Sequence, residues 1–177
     1  MRYPAMLVAL GGAVLLTGCS SLISLDPFVA GDQAVSDPNL AGLWQAGDKD
    51  LLWIRQNGSA YSIRFFGDDK DVSMGFEGHL LRAGDAELMD LVSTGDNTFS
   101  IPVHMVVRVW TDGGGLKWVY LDSDWLKDKA KQTLGTQAAG DRTLITARGA
   151  AVVEFLKKFG ADDNAYSGDM KRCVRAQ

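Results

Sequence analysis

The chain has 177 residues, 18 Lys plus Arg against 22 Asp plus Glu, a net charge of −4 and 46% hydrophobic residues. That length and balance fit one globular domain and offer no electrostatic footprint for nucleic acid or an anionic lipid surface. An aromatic content of 9% with apolar residues distributed throughout excludes a chain disordered from end to end.

The first segment reads as an address. Arg2 precedes a run from Ala5 to Leu16 in which every residue is apolar or glycine, too short to cross a hydrocarbon core that takes about 20 residues. The run ends in Leu16-Thr17-Gly18-Cys19, which resembles the lipobox of bacterial lipoproteins. The resemblance implies that residues 1–18 are a signal peptide, that Cys19 becomes the lipidated first residue, and that acyl chains of the palmitate type hold the protein to a membrane. With Ser20 after the Cys, it further implies the outer membrane, facing the periplasm, in a Gram-negative cell. In a Gram-positive cell it implies the outer face of the only membrane.

Residues 19–38 mix Ser, Asp, Gly and Pro without a sustained period and read as a lipidated Cys followed by a flexible tether, spanning on the order of 25 Å as a coil. Residues 39–160 read as the folded domain and 161–177 as a polar C-terminal tail. The tail carries Cys173, a lone thiol flanked by Arg172 and Arg175, without a partner once lipid occupies the Cys19 sulfur.

Within the domain, short apolar runs alternate with Gly, Asp and Asn clusters at the spacing of an antiparallel all-β fold. Strands are predicted near Gly42 to Gln45, Leu51 to Gln56, Tyr61 to Phe66, Ser73 to Arg82, Ala86 to Ser93, Val103 to Trp110 and Leu116 to Asp122. Asn57-Gly58 and Asp112-Gly113-Gly114-Gly115 supply hairpin tips. Two helices follow. Ser123 caps one containing Trp125, Leu126, Lys129 and Ala130; Thr146 caps another whose Val152, Phe155, Leu156 and Phe159 recur at helical spacing, with a Glu154–Lys158 pair and a stop at Gly160. The fold class is therefore mainly β: an antiparallel meander of seven or eight strands, barrel or curved sheet, with one or two C-terminal helices.

Gly42-Leu43-Trp44 at the first strand is similar to the G-x-W motif of lipocalins, and Thr111-Asp112 stands where that superfamily often carries Thr-Asp-Tyr. The resemblance implies that Trp44 plugs a closed barrel end and that Asp112 helps pin the late hairpin. Gly113 replaces the Tyr of that motif, and the family's late Arg has no assigned position.

Catalytic signatures are absent: no G-x-S-x-G, Walker loop, HExxH or G-x-G-x-x-G follows residue 19. Period-two alternation gives His79, Asp90 and His104 one face each of three strands; if those faces coincide they could bind a metal or orient a ligand, the alternative being two ordinary strand histidines. The acidic run Asp68-Asp69-Lys70-Asp71 fails as a calcium loop, because Met74 and Leu80 stand where Gly and a bidentate Glu are required. Trp53, Trp110, Trp118 and Trp125 read as core or as cavity lining.

Three functions remain open. The first is a non-enzymatic envelope lipoprotein binding a lipid or apolar ligand, with Arg108, His104 and His79 as candidate ligand contacts. The second is an interaction module for another envelope protein, with a filled core. The third and least favoured is an enzyme or metal binder using His79 and His104. Neither a cofactor nor a nucleic-acid partner is expected. Val103, Met105, Val107 and Val109 share the face expected in the core, leaving Arg108 either inside a cavity or, the favoured position, in water.

Overall fold

The computed structural model describes residues 22–29, 31–67, 73–95, 101–121, 123–140, 142–166 and 170–176. The signal segment, Cys19 and the run Asp68 to Asp71 lie outside the described residues.

The strands are β1 (Leu22–Ser24), β2 (Gly42–Ala46), β3 (Asp50–Asn57), β4 (Ala60–Phe66), β5 (Ser73–Ala83), β6 (Ala86–Ser93), β7 (His104–Asp112), β8 (Gly115–Tyr120), β9 (Thr136–Ala139), β10 (Arg142–Ile145) and β11 (Lys171–Arg175). The helices are α1 (Ser123–Thr133) and α2 (Ala150–Phe159). From β2 to β8 each strand pairs antiparallel with the next, as the period-two runs predict. β11 then pairs antiparallel with both β8 and β2, which closes an eight-stranded barrel. Closure leaves these strands no free edge, and eight strands enclose an interior just wide enough for side chains or one small ligand.

Alternation along the strands sorts residues into two cores. Inward go Trp44, Ile54, Tyr61, Ile63, Leu80, Met89, Val107, Val109 and Leu116. Outward, Leu81, Leu88 and Val106 meet the apolar faces of the helices, chiefly Leu126 and Ala130 of α1 and Val152, Phe155 and Leu156 of α2. Both helices therefore lie on the outside of one barrel wall, and neither enters the lumen. The β7–β8 tip turns through Gly113 and Gly114 at φ 51° and 80°, the left-handed pair that the sequence supplies there.

Four expectations are corrected. The stretch expected as a tether over 19–38 is packed where it is described, because Leu22, Ile23, Phe28 and Val29 are buried and β1 pairs with β7 and β10. The tail 161–177 is no loose end either: it carries β11, and Cys173 is buried in the barrel wall. Thr146 does not cap α2, because the residues before it are taken up by the β9–β10 hairpin; the cap position is Gly149 at φ 57°, with no side-chain bond. Glu154 pairs with Lys157 rather than with Lys158, while Lys158 lies over the Phe159 ring. Gly160 does end α2, but for space: a Cβ there would stand 2.4 Å from Leu88.

Candidate functional site

The two ends of the barrel differ. At one end the chain enters through a short 3-10 turn, Pro38–Leu40, and drives Leu40 and Trp44 inward. The Trp44 indole Nε1 donates to the Leu40 carbonyl at 3.0 Å. The guanidinium of Arg175 lies 4.5 Å over the Trp44 ring and reaches the carbonyls of Asn39 and Ala41. Beside them the Tyr61 hydroxyl accepts from the Asp37 N–H at 2.7 Å and donates to its carbonyl at 3.1 Å. Burial pushes the Tyr61 phenol above its ordinary range. Trp44 is thus a plug with its polar atom satisfied, and Arg175, on a strand that the sequence reading placed in a tail, packs against it. Asp112 pairs with Lys117 across the β7–β8 hairpin, the pinning role expected of it.

The other end is hollow. An apolar cavity of about 170 Å³ opens between the ends of the strands and runs down the lumen, lined near the mouth by Phe65, Phe76, Met105 and Trp118 and deeper in by Ile54, Val109, Leu116 and Cys173. Trp118 and Tyr120 stack edge to face at 5.1 Å on one side of it. Burial raises the Cys173 thiol above its ordinary value, with a hydrogen bond donated by the Trp118 indole N–H acting in the opposite direction. Among the described residues no charged side chain lines this space. Strand parity puts Lys171 on the same inward face as Cys173, one step closer to the mouth.

The sequence-predicted polar residues all sit on the outer face. Asp90 and His104 do come together: the His104 Nδ1 lies 3.0 Å and 3.1 Å from the two carboxylate oxygens of Asp90. Asp90 is only 1% exposed, and its Oδ2 also accepts from the backbone N–H groups of Phe28 and Val29. This pair fastens the entry segment to the barrel. His79 faces Asp90 in register, yet its ionic neighbour is Glu77 at 3.8 Å. Among the described residues, no cluster of three or more His, Cys, Asp or Glu could hold a metal ion.

Arg108 also points away from the lumen. It pairs with Asp163 at 3.1 Å and lies over the rings of Trp110 and Tyr166. The headgroup grip considered for it inside a barrel has no basis in this position, because Val107 and Val109 hold the inward face. A larger depression of about 460 Å³ lies on the outer surface, with Arg82, Glu87 and Arg108 in its lining. It is open to solvent and its cations are already satisfied, Arg82 by Glu87 at 2.6 Å and Arg108 by Asp163, so the smaller apolar cavity is the better ligand site.

Of the four tryptophans weighed, only Trp118 lines the cavity; Trp53 and Trp110 sit on outer faces, and Trp125 stacks on Phe159 between the helices. The sequence reading assigned no role to Phe76, Leu91 or Lys171. Phe76 and Leu91 are ordinary strand residues in sequence, and only barrel closure shows that they face empty space. Compared with known proteins, the chain matches no family model, and no curated protein or solved structure matches it significantly. Among the described residues, no helix is long and apolar enough to cross a membrane.

Proposed function

We propose that this protein is an envelope lipoprotein, anchored through Cys19, whose barrel holds a lipid or another apolar ligand without performing a reaction. The observation that carries this reading is the hollow end of an otherwise well-filled barrel. Packed interiors hold few voids larger than a water molecule, and a space lined by Phe, Leu, Met and Trp offers water too few partners. At about 170 Å³ the cavity is close to the engineered 150 Å³ void that takes up benzene, and below the roughly 300 Å³ at which drug-sized pockets begin. The matching ligand is one alkyl segment or one ring, with Lys171 placed where an anionic headgroup would emerge.

The second reading, docking to another envelope protein, is favoured by one feature: Leu43 and Trp53, cross-strand neighbours on the outer wall, remain solvent-exposed. An enzymatic use of Asp90 and His104 has less support, because the backbone of Phe28 and Val29 covers the carboxylate.

Titration with cis-parinaric acid, read by energy transfer from Trp118, tests ligand binding. Wild type should saturate. Val107→Phe, which adds a ring on the cavity wall, should weaken uptake at least tenfold while the protein stays folded. No uptake by wild type, or equal uptake by the variant, overturns the cavity reading. Anchoring has its own test: Cys19→Ser should lose acylation and leave the detergent phase, and unchanged detergent partitioning overturns the anchor.

A further inference from the structure

The described chain exposes seven large apolar side chains, and four of them share one end of the barrel. Phe66, 37% exposed, is the last residue of β4, next to the cavity-lining Phe65. Ile101, 73% exposed, lies just before β7 begins, and Met170, 49% exposed, just before β11 begins. Leu25, also 49% exposed, follows Ser24, which pairs with the first residue of β7. β7 and β11 both begin at the hollow end and β4 finishes there, so the four residues form an apolar rim around the mouth of an apolar cavity. Leaving four such side chains in water at one site carries a hydrophobic cost that covering them removes.

The register of β1 says what covers them. β1 runs antiparallel to β7 with Ser24 opposite His104, so Leu22 lies beside the third residue of that nine-residue strand, near the mouth and far from the plugged end. Only three peptide steps separate Cys19 from Leu22; they span at most about 11 Å, a reach that takes in the level of the mouth, two residues along β7 from Leu22. Resting on the reading of Cys19 as the lipidated residue, we propose that the barrel docks mouth-down on the bilayer that holds its anchor, with Leu25, Phe66, Ile101 and Met170 inserted among the acyl chains and the cavity opening directly onto lipid. Rim residues of this kind sink about 5–10 Å into an interface. Charges near the rim do not drive this contact, since Asp48 and Asp50 offset Lys49 and Lys171. The matching surface is zwitterionic, and the docking is apolar.

The test uses the full lipidated protein in phosphatidylethanolamine and phosphatidylcholine vesicles carrying nitroxide lipids. A bimane label is placed on Ser93→Cys at the mouth or on Ser59→Cys at the plugged end, the buried Cys173 being shielded from the reagent. The mouth label should be quenched at least threefold more than the plugged-end label. That difference should persist at about 1 M salt, where charges are screened beyond about 3 Å, and should be lost in a variant combining Phe66→Ser, Ile101→Ser and Met170→Ser. Mass analysis of the N-terminal peptide, run in parallel, reports the acyl chains. Acylated protein with equal quenching at both ends, or with a difference that salt abolishes, overturns the docking and leaves the anchor intact. An unacylated Cys19 overturns the anchor, and with it the docking.

Discussion

The two ends of this barrel are built from the same eight strands with the same alternation, and yet among the described residues one is filled and the other opens onto a cavity. At the filled end an extra piece of chain, Pro38–Leu40, crosses the opening and contributes Leu40 under Trp44, while Arg175 and Tyr61 satisfy the carbonyls and amides that the crossing chain brings with it. At the hollow end no described segment crosses the lumen, and Phe76, Leu91, Trp118 and Tyr120 remain only partly buried. Strand alternation decides which side chains face the lumen; it does not decide whether the lumen is full. That depends on what the connections between strands carry across it. The same architecture can therefore concentrate stability at one end and leave the other for a ligand.

The largest test of this contrast compares two tryptophans. Trp44→Ala removes a fully enclosed side chain and should cost about 3–5 kcal/mol, read as a fall in the urea midpoint with an unchanged slope. Trp118→Ala opens onto space that already exists and should cost roughly half as much, because less of its contact surface is lost. Equal losses at both sites would mean that the cavity is closed up in solution and that the two ends do not differ.

A second test concerns how the hollow end holds its shape. Among the described residues it has no plug inside, but outside, on the wall near the mouth, Asp90 gathers His104 and the N–H groups of Phe28 and Val29. Asp90→Ala leaves those donors without their acceptor and should cost about 1.5–3 kcal/mol, the range for hydrogen bonds to a charged group. Amide exchange should quicken at Phe28 and Val29 while the amides around Trp44 stay protected. Uniform exchange across the barrel would show that the strap and the plug act as one unit.

Much of this architecture is legible in the sequence, and the omissions have physical causes. The seven strands from Gly42 to Tyr120 are visible because each is long enough to show its period. β1 is not, since Leu22, Ile23 and Ser24 are all buried and three enclosed residues carry no alternation. β11 reads Lys-Arg-Cys-Val-Arg and looks like a solvated tail; its inward face is basic because Arg175 lies over an aromatic ring, Lys171 stands at the mouth, and only Cys173 is apolar. The Trp44 plug could be anticipated from Gly42-Leu43-Trp44, whereas Arg175 could not, because its role exists only after closure. The cavity left little sequence signal, since Leu91 facing a void is the same residue type as Leu80 facing a core.

Arg108 separates binding from surface pairing. Its guanidinium sits outside the barrel between Asp163, Trp110 and Tyr166. Arg108→Ala should therefore cost no more than about 1 kcal/mol, the combined scale of an exposed ion pair and a cation–π contact, and should leave cis-parinaric acid uptake at the hollow end unchanged. A tenfold loss of uptake would place the ligand on the outer surface and make the interior cavity irrelevant to it.

The smallest expected effect lies in alkaline stability, and it distinguishes the ends by chemistry rather than by volume. Burial raises the Cys173 thiol at the hollow end from its ordinary 9.0, and raises the phenols of Tyr61 at the plugged end and Tyr166 beside Arg108 from their ordinary 10.0. In each case the folded protein keeps a proton that the unfolded chain gives up. The stabilisation linked to that proton is complete below the unfolded value and is lost as pH climbs toward the folded one, with a limiting slope of about 1.36 kcal/mol per pH unit for each group. For wild type the contribution of these three groups should begin to fall near pH 9, where only the thiol titrates in the unfolded chain, and fall more steeply above pH 10, where the two phenols join. Cys173→Ala removes the thiol's part alone, so the variant's midpoint, whatever its level at pH 7, should lack the wild-type thiol slope between pH 9 and 10 and fall less steeply than wild type above that. Urea midpoints taken from pH 7 to 11 give the comparison. A variant curve parallel to wild type over the whole range would mean that the thiol meets water through the cavity, and that the hollow end is wet rather than dry.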